Sequence, residues 1–238
     1  MKTFVMIPTY NERENIKNLI DKILKLRIKN LHIAVVDDNS PDGTWRIVHG
    51  ISQTKKNVHL LLRKKDKGRG YAGRDGFVYC LKHGADVVVE MDADMSHDPK
   101  YIPEMLKEIK NYDIVLGSRR AAGAREIGRG LFRRFVTYGA NLYIRLMLGI
   151  KARDCNSGFR CFTRNIMEKI QPEKLESKGP SIVQEVLFKA HLKNARIKEI
   201  PITFVDRTKG ASKLGIPQLA AGYFMVLKLK MLSITGRI

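Results

Sequence analysis

The sequence predicts an α/β protein: a mostly parallel, open sheet with helices on both faces. Three observations predict it. Short β-branched apolar runs alternate with stretches of helical period through the first half of the chain. Those runs are apolar at consecutive rather than alternate positions, as strands buried on both faces are. Polar and acidic residues gather directly after the runs, where open parallel sheets bind ligands beyond the carboxyl ends of their strands.

In chain order, Phe4, Val5, Met6 and Ile7 begin the sheet. Residues 11–26 predict a helix, with Ile16, Leu19, Ile20, Ile23 and Leu24 recurring on one face. Residues 33–36 read as the second strand, 44–51 as a helix and 58–62 as the third strand. A glycine-bearing helix over 70–83 leads into the fourth strand, 87–91. Asp98 suits an N-cap and Pro99 the first position of a helix running to about Lys110, before a fifth strand at 114–116. Beyond Arg120 the alternation lapses. Residues 121–130, rich in Gly and Arg, read as a mobile loop. Residues 132–149 read as an apolar helix with Arg129, Arg133 and Arg134 near its start, and 154–160 as a polar loop. Helical stretches over 166–192 break at Pro172 and at Gly179-Pro180. A strand over 197–205, a polar loop over 206–214 and an apolar helix over 216–234 carrying Lys228 and Lys230 complete the chain. No repeat or linker interrupts it, so residues 1–238 read as one domain whose second half elaborates the first.

Composition narrows the function. With 238 residues, 44% of them hydrophobic, the chain can bury a core. Lys and Arg number 44 against 24 Asp and Glu, a net charge of +20, which points to a polyanionic partner: nucleic acid, an anionic membrane face or phosphorylated substrates. Three cysteines are too few, and odd in number, for a disulfide framework, so a reducing compartment is expected. The N-terminus runs straight into a strand, so no secretory signal is expected. No uninterrupted apolar run reaches the ~20 residues of a spanning helix. Collagen, secreted knots, disordered tails and integral membrane proteins are thereby excluded.

Asp92-Ala93-Asp94 is the centre of the chemistry. Two carboxylates one residue apart at a strand end can bracket one hard cation, Mg²⁺ or Mn²⁺, of the kind commonly shared with substrate phosphates. A solvated acidic turn would account for such a triplet more simply. Asp98 already supplies the cap, however, so capping gives no role to the two earlier acids. Asp37-Asp38 also ends a strand, and there turn chemistry with Pro41-Asp42-Gly43 and hydrogen bonding to a base edge or ribose hydroxyl both stay open. Arg119, Arg207 and Lys213 lie in separate loops after strands and are suited to phosphates. Arg69 with Lys64, Lys65 and Lys67 reads as a surface cluster, and His97 as a surface or capping residue. Cys155 and Cys161 lack zinc-site spacing, and neither a P-loop nor a nucleophile elbow is present.

Taken together, Pro8-Thr9-Tyr10-Asn11-Glu12, the run from Val36-Asp37-Asp38 to Gly43-Thr44, Asp92-Ala93-Asp94, and Asp206-Arg207 followed by Gly210-Ala211-Ser212-Lys213 resemble the inverting family 2 glycosyltransferases of GT-A fold. The likeness is strongest to their dolichyl-phosphate mannosyltransferase branch and covers nearly the whole chain. Asp154-Cys155-Asn156-Ser157-Gly158-Phe159-Arg160 is similar to the family's acceptor-loop motif. The resemblance implies a GDP-mannose pocket lined by Pro8, Tyr10, Glu12, Val36, Asp38, Asp92 and Ala93. It implies Mg²⁺ or Mn²⁺ on Asp92 and Asp94, and Arg119, Arg207 and Lys213 on the donor diphosphate and lipid phosphate; with Asp94 these three would form the catalytic set. Ser96 stands where some members carry glutamine. Residues 1–120 would then hold the sugar nucleotide and 121–238 the acceptor. The chain resembles the short form that attaches peripherally to the cytoplasmic face of a membrane, directly or through small membrane-anchoring subunits.

The implied reaction is transfer of mannose from GDP-mannose to dolichyl or another polyprenyl phosphate, with inversion. A phosphate nucleophile is already anionic at pH 7, so no protein base is required, in keeping with the absence of a convincing base. Residues 132–149 and 216–234 are apolar enough to lie in a lipid interface and equally suited to a core. Two other functions compete: a polyprenyl-phosphate glycosyltransferase using UDP-glucose or another donor, and a non-enzymatic basic nucleic-acid-binding protein. The second accounts for the charge but not for the acids at the strand ends.

Overall fold

The computed structural model describes residues 1–206 and 216–236. Its main sheet has seven strands: β1 (Thr3–Thr9), β2 (Leu31–Asp37), β3 (Val58–Leu62), β4 (Val87–Glu90), β5 (Ile114–Ser118), β7 (Arg160–Thr163) and β8 (Ile197–Pro201). Their spatial order is β3-β2-β1-β4-β7-β5-β8, and only β7 runs antiparallel to its neighbours. A second, two-stranded parallel sheet pairs β6 (Arg125–Ile127) with β9 (Thr203–Val205).

The consecutive apolar residues of β1 divide between two cores. Phe4 and Met6 pack on one face with Phe77, Phe162, Phe188 and Leu229, while Val5 and Ile7 pack on the other with Leu19, Ile23, Ile102 and Met105. A strand covered on both sides can spare no position for a polar residue, which is why the run is unbroken. The helices follow as α1 (Ile16–Lys25), α2 (Thr44–Thr54), α3 (Arg69–Lys82), α4 (Ile102–Glu108), α5 (Leu131–Leu148), α6 (Arg164–Ile170), α7 (Ile182–Leu192) and α8 (Ile216–Ile234).

Several boundaries differ from the expectation. Residues 11–15 are a turn rather than the first turns of α1, with Asn11 in the left-handed region at φ 58°. Asp98 does cap, accepting from Lys100 N at 3.0 Å, but what it caps is a 3-10 turn, Pro99–Tyr101, that leads into α4. The expected loop 121–130 contains β6, and the expected strand 197–205 is two strands. The break falls at Ile202, whose side chain is buried and whose N–H bonds Ser118 O. The expected polar loop 154–160 ends by entering β7, inserted antiparallel between β4 and β5.

The last long helices answer the question the sequence leaves open, for each has both kinds of face. In α5, Ile144 and Leu148 are buried; in α8, Val226 and Leu229 are. Phe132 is nevertheless 78% exposed and Phe224 70%, with Leu131, Phe135, Leu146, Met231 and Ile234 also exposed. The two helices touch through Tyr143 and Tyr223, ring centroids 4.8 Å apart. Among the described residues no helix is long and apolar enough to cross a membrane.

Candidate active site

The carboxyl ends of β1, β2, β4 and β5 share one rim of the sheet, and all the described candidate residues lie along it or in the loops that leave it. Pro8 and Val36 are register partners in β1 and β2. Both are buried, and Val36 lies under α3 so closely that a Cβ on Gly76 would come within 3.0 Å of its Cγ2. Tyr10 is exposed just beyond β1. Glu12 accepts from Asn15 Nδ2 at 2.9 Å, and its own N–H bonds Thr44 Oγ1 at 2.9 Å, tying the first loop to α2.

The acids at β2 are occupied internally. Asp37 accepts from Thr9 Oγ1 at 2.9 Å, from Ser40 N at 2.8 Å and from Ser40 Oγ at 2.8 Å, so it stitches β1 to the turn after β2. Asp38 forms a buried ion pair with Arg63 and accepts from Gly68 N at 2.7 Å. Its carboxylate therefore anchors the loop ahead of α3, and any ligand contact from it would come at the edge of that pairing.

The acids after β4 are placed differently. Asp92 keeps 40% of its side chain exposed. Met95, in the left-handed region at φ 64°, turns the chain so that Ser96 donates to Asp94 Oδ1 from N at 3.1 Å and from Oγ at 2.6 Å. Ala93 between them is buried. Gly158 faces this pair: a Cβ there would lie 2.8 Å from Asp92 Oδ2. Only a residue without a side chain lets the 154–160 loop approach so closely.

Arg119 leaves β5 and is clamped onto Asp154 by three bonds: from Nε at 2.8 Å, from Nη2 at 2.7 Å and from its backbone N at 2.9 Å. Burial alone would raise the Asp154 carboxyl, but the fork-on-carboxylate geometry outweighs it and holds the group below its ordinary value. The Arg119 guanidinium also lies over the Phe204 ring at 5.3 Å, and that of Arg129 at 5.6 Å. Arg120, Arg129 and Arg134 converge on one carboxylate, Glu126, with nitrogens at 3.8, 3.9 and 2.8 Å. Burial, followed by the charge of Arg119, lowers the Arg129 guanidinium. Four arginines on the two carboxylates of Asp154 and Glu126 leave a local surplus of positive charge, which attracts anions. Arg207 and Lys213 lie outside the described residues.

Several site residues are not visible in the sequence. His97 is buried, not superficial; it stacks on Phe159 at 5.2 Å and stands 3.8 Å from Asp92 Oδ2. Burial lowers its imidazole. Arg69 is not part of the lysine cluster beside it but turns inward, with Nη2 2.7 Å from Glu90 Oε1 and 3.5 Å from Asp92 Oδ1. Glu90 is fully buried and also pairs with Arg160, which in turn donates to Val183 O at 2.7 Å. One signal points to this network: Glu90 ends an otherwise apolar, buried strand, and a buried carboxylate demands a partner. A cavity of about 430 Å³ between α6, α7 and α8 is lined by none of the predicted site residues.

Among the described residues no group of three or more His, Cys, Asp and Glu side chains converges as a metal cage. Two carboxylates at an open rim match a different arrangement, in which Mg²⁺ or Mn²⁺ is held by one or two carboxylates plus substrate phosphate.

Known proteins are similar to this chain in sequence and in fold. Residues 4–171 match the model of glycosyl transferase family 2. The chain is 36% identical over 214 residues to an undecaprenyl-phosphate mannosyltransferase of Micrococcus luteus, covering 90% of this chain and 88% of that protein. It is 34% identical over 227 residues to a polyprenol monophosphomannose synthase of Mycolicibacterium smegmatis, covering 94% and 85%. A dolichol-phosphate mannosyltransferase of Pyrococcus furiosus is 38% identical over 219 residues, covering 90% of this chain and 59% of its own length. Among solved structures, glucosyl-3-phosphoglycerate synthase from Mycobacterium tuberculosis, in complex with Mn²⁺, UDP and its product, superposes with a TM-score of 0.67 at 18% identity, covering 98% of this chain and 79% of that one. The sheet order with its single antiparallel insertion is thus that of the GT-A fold. With the family model spanning most of the chain and the site's acids and arginines at its strand ends, this protein belongs to glycosyl transferase family 2.

Proposed function

We propose that this hexosyltransferase moves mannose from GDP-mannose to a polyprenyl phosphate of the dolichyl type, with inversion and with the help of Mg²⁺ or Mn²⁺. The observation that carries the reading is the Asp92–Asp94 pair, open at the rim beside the anion-seeking arginines, in a chain whose relatives are named as polyprenyl- and dolichol-phosphate mannosyltransferases.

Residues 1–120 would bind the nucleotide and 121–238 the acceptor. Pro8, Tyr10, Glu12, Val36, Asp38, Asp92 and Ala93 would border the nucleotide, the buried ones through their backbone. The donor set fits a hard divalent ion: carboxylate oxygens on Asp92 and Asp94, the Asp92 side chain being 40% exposed at the rim. Asp92 and Asp94 would hold the ion, which when bound supplies Lewis-acid stabilisation of the departing diphosphate. Arg119, fixed by Asp154, would present a preorientated charge to the same phosphates, joined by Arg207 and Lys213. The arginines around Glu126 would seat the acceptor phosphate. Because that phosphate is the nucleophile and is already anionic near pH 7, no side chain need remove a proton.

The lipid acceptor also accounts for α5 and α8. Their exposed aromatic and aliphatic residues adjoin Arg133, Arg134, Lys228 and Lys230, the composition of an interfacial surface on an anionic leaflet. We assign this face to the cytoplasmic side of a membrane.

The test is a donor-by-acceptor matrix. GDP-mannose and UDP-glucose, each with a polyprenyl phosphate or 3-phosphoglycerate, are compared with Mg²⁺, Mn²⁺ or EDTA. Lipid-linked mannose formed from GDP-mannose and lost in EDTA is the expected result; preference for UDP-glucose would overturn the donor. Flotation with liposomes should require anionic lipid and weaken in salt; no flotation would overturn membrane binding by this chain alone, and flotation indifferent to both would overturn its electrostatic part.

A further inference from the structure

Under the Asp92–Asp94 pair lies a cation whose sequence neighbours suggest a surface position. The Arg69 guanidinium bridges Glu90 Oε1 at 2.7 Å and Asp92 Oδ1 at 3.5 Å, and its Nη1 is buried with no hydrogen-bond partner. The position is built for it. A Cβ on Gly73, one turn along α3, would press to 3.1 Å from that Nη1. Two guanidiniums, Arg69 and Arg160, share the single carboxylate of Glu90. Glu90 with Arg160 alone would already be a neutral pair. Arg69 is therefore the surplus charge, and the acid left to balance it is Asp92. A guanidinium is not deprotonated in proteins, so Arg69 stays charged.

We propose that Arg69 is a positioning residue that acts as a resident cation of the metal site, holding Asp92 in place and keeping the affinity for a divalent ion low by competing for the same carboxylate. This rests on the reading of Asp92 and Asp94 as metal ligands. With Arg69 present, Glu90, Arg160 and Asp92 sum with it to neutrality; without it they carry one net negative charge beside the carboxylate that would hold the ion. A competing charge within a few ångströms of a ligand oxygen, even at the effective dielectric of a partly wet site, lowers cation affinity by about tenfold or more.

The experiment measures Mn²⁺ binding by electron paramagnetic resonance of the free ion, with and without GDP, for the wild type, Arg69→Lys, Arg69→Gln and Arg69→Leu. Glutamine is neutral but polar, so it serves if the leucine variant fails to fold. Arg69→Gln and Arg69→Leu should bind Mn²⁺ about tenfold more tightly than the wild type, and Arg69→Lys should stay close to it. Unchanged or weaker binding in the neutral variants, with the wild type binding and Asp94→Asn not, overturns the proposal and leaves the metal site standing. Absence of any Mn²⁺ binding by the wild type overturns the metal reading and this proposal with it.

Discussion

Asp37 and Asp38 end β2, and Asp92 and Asp94 follow β4, with only β1 between those strands. The first pair is spent inside the protein: hydroxyls of Thr9 and Ser40 hold Asp37, and Arg63 with the Gly68 N–H holds Asp38. The second pair stays at the surface of the rim, with Asp92 facing a glycine and Asp94 steadied by Ser96. Two acidic strand ends of similar appearance thus differ in what surrounds them. A carboxylate closed by donors becomes a structural joint, whereas one left half-open can receive a ligand. What decides is how tightly the rest of the chain closes on the acid: Arg63, from just after β3, forms a buried pair with Asp38, whereas Arg69 reaches Asp92 only at 3.5 Å and Gly158, from the loop before β7, presents no side chain to it.

If that division is right, the two pairs should fail in opposite ways. Asp94→Asn should lower the rate of mannosyl transfer by about 10³-fold, roughly 4 kcal/mol of transition-state stabilisation, while leaving the urea midpoint close to wild type. Asp38→Asn should do the reverse. It removes the buried ionic contact with Arg63, which keeps Asp75 as a second carboxylate partner at 2.8 Å, a loss of about 2 kcal/mol of folding stability. Activity per folded molecule should fall far less than in Asp94→Asn. A stable, inactive Asp38→Asn protein would break the comparison and return Asp38 to the ligand.

How far the sequence alone reaches follows the same division. The doubly covered strands are legible, because an unbroken apolar run as short as Phe4 to Ile7, closed by polar residues, is too brief for a helix and too apolar for a surface. The acids that follow such runs are legible with them. The helix Ile216–Ile234 is legible at its full length, since Pro217 suits a first turn and apolar residues predominate through Gly222 and the two lysines to Ile234. The insertion β7 is not. It is four residues long, begins with an arginine, and is a strand because it pairs with β4 and β5, where Arg160 meets Glu90 seventy positions away in the chain. Arg69 and His97 are hidden for the same reason. Their sequence neighbours are polar, basic around Arg69 and acidic around His97, and only the fold turns one toward Glu90 and the other under Phe159. Short motifs reveal which acids end strands; pairing across the sheet determines which remain open.

The open pair can also be closed by a single methyl group. A Cβ on Gly158 would stand 2.8 Å from Asp92 Oδ2 and 3.3 Å from its Cγ, inside any normal contact distance. Asp92, a half-exposed side chain, yields more readily than the loop backbone, so Gly158→Ala should displace the carboxylate more than the loop. Transfer should fall by about 10²-fold through misplacement alone, with the KM for the donor raised and the melting temperature nearly unchanged. Full activity would show that Asp92 need not hold its observed position.

The smallest effect concerns a third rim acid, Asp154, which is closed like Asp38. Burial pushes its carboxyl up, yet the charge and three hydrogen bonds of Arg119 bring it below the ordinary aspartate value. A carboxylate whose folded pKa is depressed contributes stability that is fully present above its unfolded value, about 3.9, and disappears as pH falls through the folded one. Asp154→Asn removes that contribution at every pH. The variant should therefore be less stable than wild type at pH 7, and the gap should hold level down to about pH 4. Below that it should narrow as the wild-type group takes up its proton, by about 1.4 kcal/mol for each pH unit the folded pKa lies below the unfolded one. Urea titrations of both proteins between pH 7 and 2 measure it. A gap that stayed constant to the acid end would mean that the Asp154–Arg119 contact stabilises through packing and not through charge, and Arg119 would then be aimed by shape alone.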